Sequence, residues 1–122
     1  MSVNDKISLI LEKLLIQTQN GSAKWAVEEL PPWEKSSAQG ILTFDSINSS
    51  VELSNLYNGE EYPFRVKIFN ASGVQIWSES IDRISPLAST VSELYRLAQL
   101  QALKVDETLD DLIDSLEDNE LL

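Results

Sequence analysis

Hydrophobic positions along this chain change their period twice. From Asn4 to Gln19 the residues Ile7, Ile10, Leu11, Leu14 and Thr18 recur at helical spacing and predict one amphipathic helix. Ser2 or Asn4 can cap its start. Asn20-Gly21 supplies the stop, because glycine takes the left-handed conformation without a Cβ penalty. Leu15 widens the apolar face. Leu9 and Ile16, seven positions apart, stand to its side, so the helix is expected to be covered on more than one side. The cover is either the C-terminal helices of the same chain or a second copy.

The period then shortens to two. Lys24 to Glu28 reads as a short strand with Trp25 and Val27 on one face. Pro31-Pro32 breaks regular structure, and Leu30-Pro31-Pro32-Trp33 leads into a polar link from Glu34 to Gln39. Leu42 and Phe44 mark a half-buried strand between Gly40 and Ile47, Asn48-Ser49-Ser50 a turn, and Val51, Leu53 and Asn55 an antiparallel partner. Asn58-Gly59 is the strongest short turn signal. Tyr62, Phe64, Val66 and Ile68 alternate with Pro63, Arg65, Lys67 and Phe69, which gives the clearest strand. Pro63 lacks a donor, so that strand should begin at a sheet edge or end. Asn70-Ala71-Ser72-Gly73 connects it to a return strand through Val74, Ile76 and Ser78, with Gly73 suited to a left-handed position.

After Ser85-Pro86 the helical period returns. Thr90 and Glu93 fit a capping box. Leu87, Val91, Leu94, Tyr95, Ala98, Ala102 and Val105 form one stripe; Asp106 caps a last helix whose apolar face is Leu109, Leu112, Ile113 and Leu116. Antiparallel hairpins between helices predict an α+β fold: an N-terminal helix, an antiparallel meander of about five strands, and two C-terminal helices packed on the sheet. The expected organisation is a single domain over 1–122, with a helix at 1–20, sheet at 24–81, a helical part at 86–118 and a frayed end at 119–122.

The stretch from Tyr62 to Gly73, with Leu94-Tyr95-Arg96-Leu97-Ala98, Asp106 and Leu109-Asp110-Asp111-Leu112, resembles small uncharacterised bacterial α+β proteins with a helix–strands–helices layout. The resemblance rests on core pattern over about half of the chain. It implies the fold and supplies no activity and no functional residue.

Charge adds one located feature. The chain carries −11, and eight acids with no base lie after Lys104, leaving a net of only −3 for residues 1–104. DNA binding relies on Lys and Arg releasing counterions from phosphates, so direct nucleic-acid binding is not expected; an acidic membrane surface is disfavoured for the same reason. Cysteine and histidine are absent, which excludes Ser-His-Asp and Cys-His nucleophiles and zinc sites built on those ligands. No phosphate loop and no dinucleotide fingerprint occurs. No apolar run approaches the ~20 residues of a membrane span, and the N-terminal residues do not resemble a secretory signal. The sequons at Asn20, Asn48 and Asn70 read as turns. A cytoplasmic protein without a cofactor is the expectation.

Two groups of residues are candidates for function. Asp106, Asp110, Asp111, Asp114, Glu117 and Asp118 form an acidic face on the last helix. That face is solvated, meets a basic partner, or, in the alternative reading of a carboxylate-dependent metal-binding protein or enzyme, holds Mg²⁺ or Ca²⁺ through Asp106, Asp110, Asp111 and Asp114. The spacing lacks the glycine turn and final glutamate of a calcium loop, and no metal site is assigned. Like charges four apart each cost about 0.2–0.5 kcal/mol, so the helix must be held by its Leu/Ile stripe or by a partner. The second group is apolar: Phe69 and Trp77, expected to meet on the outer face of their hairpin beside Ile81, with Trp33, Leu9 and Ile16 as further contact candidates. The expected function is a non-catalytic protein–protein interaction or regulatory protein, acting on a protein partner or as a homodimer.

Overall fold

The computed structural model describes residues 1–28, 41–55 and 63–120, with the side chains of Glu28 and of 118–120 outside that description. Its helix α1 spans Val3–Gln19. Ser2 is the N-cap: its Oγ accepts from the Asp5 amide at 3.1 Å, and the Asp5 carboxylate accepts from the Ser2 amide at 3.4 Å. Together these contacts close a capping box. Asn4 lies inside the helix. At the other end Asn20 is the C-cap and Gly21 takes a φ of +81°. Ile7, Leu11, Leu14 and Thr18 are buried, whereas Ile10 is partly exposed.

Five strands follow: β1 Trp25–Glu28, β2 Ile41–Asp45, β3 Ser50–Asn55, β4 Phe64–Phe69 and β5 Gln75–Ile81. They form one antiparallel sheet in sequence order, β1-β2-β3-β4-β5. The register sets Trp25 opposite Phe44, Phe44 opposite Val51, Leu53 opposite Val66 and Phe64 opposite Ile81. Period-two alternation therefore gathers these residues on one face, which α1 and α2 (Ala88–Ala102) cover. Val91, Leu94, Tyr95 and Ala98 complete the core from α2. Ring contacts lie inside it, among them Trp25–Phe44 at 5.7 Å and Phe64–Tyr95 at 5.0 Å, both tilted. The opposite face carries Thr43, Glu52, Ser54, Arg65, Lys67, Ser78 and Ser80. There Glu52 and Lys67 stand directly across the ladder, an opposite-charge pair of the kind that fixes register.

The β4–β5 hairpin departs from the expected phase. Its tip is as anticipated: Gly73 has a φ of +78°, and the Asn70 side-chain oxygen accepts from the Ser72 and Val74 amides at 3.0 and 3.1 Å. The ladder then bulges. Ile68 pairs with Trp77 but Phe69 pairs with Gln75, which leaves Ile76 between them as the extra residue. Trp77 is thereby turned to the core side, half-buried against the cluster, while Val74 and Ile76 are exposed. Ile81, expected beside an outer patch, is fully buried in the core.

The C-terminal helices also start differently from the pattern. α2 begins at Ala88 behind Leu87, with no side-chain cap, so Thr90 and Glu93 form no capping box. Ser85 supplies the local turn instead, its Oγ accepting from the Leu87 amide at 3.1 Å. Glu93 faces Arg96 one turn on, through two hydrogen bonds of 2.6 and 3.1 Å. Between the helices Lys104 adopts a φ of 54°, a left-handed residue that makes a tight break. α3 then spans Val105–Glu120 with Asp106 and Glu107 in its first turn. Its main contact is with α2.

Candidate interaction surface

Among the described residues, α3 contributes no side chain to the buried core. Every residue from Asp106 to Glu117 is exposed. Leu109, Leu112, Ile113 and Leu116 stand 51–55% exposed, and Leu100 and Leu103 at the end of α2 are 42% and 51% exposed. The helical spacing that reads as an inward face in the sequence is a face turned to solvent. No signal in the sequence separates the two, because a stripe at i, i+3, i+4, i+7 has the same form whether it packs inward or docks on a partner.

At 3.6 residues per turn, the two borders of this stripe differ. Asp106, Asp110 and Glu117 run along one side; Thr108 and Ser115 run along the other. Glu107, Asp111 and Asp114 occupy the opposite face. Asp118 lies on the helix, its side chain outside the described residues. The last turn contains no base to offset the dipole. The expected acidic face is thus one helix surface, and it borders apolar side chains that the described residues leave uncovered.

The remaining candidates are dispersed. Leu9 (38% exposed) and Ile16 (59%) share the outward face of α1. Phe69, half-buried, lies on the sheet face away from the helices, so it and Trp77 stand on opposite sides of the hairpin and do not form the expected outer pair. The reason is the bulge at Ile76. Trp33 lies outside the described residues.

Trp77 lines a cleft of about 310 Å³ with Asn4, Asp5, Ile7, Ser8, Glu79, Ser85, Pro86 and Leu87. Its two carboxylates come from different elements, and Asp5 is committed to the capping box. No lysine, arginine or tyrosine lines it among the described residues. Among the same residues no three carboxylates converge to hold a metal ion; Asp106, Asp110, Asp111 and Asp114 point outward from a single helix. No helix among them is long and apolar enough to cross a membrane.

Among the described residues, Tyr95, Glu93 and Arg96 have displaced pKa values, each through a contact or burial within the fold. Burial pushes the Tyr95 phenol above its ordinary value. The hydrogen bonds from Arg96 lower the Glu93 carboxyl, and the same contact raises the guanidinium. Both members of that pair sit on the surface, where such contacts contribute little.

No protein-family model, curated protein or solved structure matches the chain.

Proposed function

We propose that this is a non-catalytic cytoplasmic protein-interaction module that works through its uncovered helix faces. One observation carries the reading: α3 is a sixteen-residue helix whose stripe residues Leu109, Leu112, Ile113 and Leu116 are all about half exposed. Isolated helices shorter than ~12–15 residues are marginal in water even with favourable sequences. α3 is little longer and carries like charges four apart, so contact with another macromolecule is the natural source of its order. The cleft beside Trp77 offers no converging acid, base and nucleophile of the kind a reaction centre needs.

A symmetric dimer is the second form of this reading, favoured by the outward Leu9 and Ile16 of α1. Light scattering over a range of micromolar concentrations distinguishes the two forms.

The test places a photo-crosslinking residue at Leu112 in the full chain inside cells and pairs it with Leu112→Ser/Ile113→Ser. Adducts with protein are expected at that position. The double substitution should abolish them while changing the stability of the isolated chain by less than about 1 kcal/mol, against the 2–5 kcal/mol typical of truncated core leucines. A core-sized loss of stability, or the absence of any adduct, overturns the proposal.

A further inference from the structure

Resting on that reading, we infer that α3 docks as an amphipathic helix into an apolar groove of a partner protein, with that groove edged by lysine or arginine along one side. The occupant follows from the two borders of the stripe. Asp106, Asp110 and Glu117 flank Leu109, Leu112, Ile113 and Leu116 on one side only, and Thr108 and Ser115 flank them on the other. A helix that enters a groove places its border residues against the groove's rims. Carboxylates at a rim are satisfied by bases, and an acidic rim juxtaposed to them costs several kcal/mol. The hydroxyl border requires no such charge.

A second copy of this chain does not meet the requirement through α3. In an antiparallel pair of α3 helices the acidic borders meet each other. In a parallel pair each acidic border meets Thr108 and Ser115. Neither arrangement brings a cation to the rim, because no base occurs after Lys104. An anionic membrane is disfavoured by the same charges.

The experiment titrates the full chain with three synthetic helical hairpins. The first presents a leucine groove edged on one side by lysine. The second has the same groove edged by glutamate. The third keeps the lysines and replaces the groove leucines by serine. At about 0.15 M salt the first is expected to bind at least about tenfold more tightly than the second. The third should show no saturable binding. Asp110→Lys/Glu117→Lys should weaken the first complex by about tenfold or more, whereas Thr108→Lys/Ser115→Lys should change it by less than about threefold. Circular dichroism of each variant checks that α3 remains helical. Equal binding of the lysine and glutamate hairpins overturns the basic rim, and saturable binding of the serine hairpin overturns the apolar groove. Equal sensitivity of the two borders overturns the one-sided assignment. Each of these results leaves the crosslinks at Leu112 standing, so failure of this inference is distinct from failure of the interaction reading.

Discussion

Gln101 joins parts of the chain that are far apart in sequence. Its carboxamide oxygen accepts from the Trp25 amide at 2.6 Å, and its NH₂ donates to the Ala23 carbonyl at 2.7 Å. One side chain on α2 thus holds the start of β1. The Trp25 indole is fixed separately: it donates to Thr18 Oγ at 3.0 Å, and that hydroxyl donates to the Leu14 carbonyl at 2.7 Å. A donor or acceptor left without a partner in a buried setting costs about 1–3 kcal/mol. Gln101→Leu strands two backbone groups at once, and we expect a loss in that range by urea unfolding with an unchanged slope. A change within about 0.5 kcal/mol, the scatter of ordinary surface substitutions, rules out the clamp. Nothing local in the sequence marks Gln101. It reads as one more polar position at a helix end, because its partners are supplied by the fold. Gly73 is the converse case. Its left-handed φ is legible from the neighbouring Asn and Ser, since turn geometry is local.

At the scale of elements, β5 and α3 are the two departures, and they have different causes. β5 departs in phase because Val74 and Ile76, at its start, alternate as core residues do, while a single bulge exchanges the two faces. α2 and α1 follow the expected stripes closely, since each turns its apolar side into the shared core. α3 starts one residue before its expected cap, Asp106, runs on to Glu120 past the expected end at 118, and lacks the expected cover. Asp106/Asp110, Asp110/Asp114 and Glu107/Asp111 stand four apart with no base between them. Replacing Asp114 by Lys turns two repulsive spacings, to Asp110 and to Asp118, into attractive ones and opposes the C-terminal dipole less. The gain expected is about 0.5–1 kcal/mol in the local stability of α3. It is read as slower amide exchange in residues 109–117, and it should shrink as salt is raised. Unchanged exchange would show that α3 is held by something other than its own turn-to-turn contacts.

Across the whole molecule, the sheet, α1 and α2 share one core, and Tyr95 sits within it against Phe64. Its pKa is raised by burial from an ordinary value of 10.0. A phenol with a raised pKa keeps its proton in the folded chain at a pH where the unfolded chain has released it. Its contribution is therefore complete below the unfolded value and declines as pH rises through the folded one. Stability measured from neutral pH to about 11 should fall at the alkaline end, and Tyr95→Phe should remove part of that slope. An identical alkaline slope in the variant contradicts a buried phenol at this position. The opposite sign holds for Glu93, whose lowered pKa gives a contribution that disappears on acidification; its surface position keeps this small.

The order of the elements, the antiparallel meander and the inward faces of α1, α2 and β1 to β4 were legible in the linear chain. Each depends on periodicity and turn chemistry, which act over a few residues. Tertiary structure alone decided the phase of β5, the partners of Gln101 and the outward turn of the α3 stripe. A periodic pattern states which side chains share a surface, whereas what that surface meets is settled by residues distant in sequence.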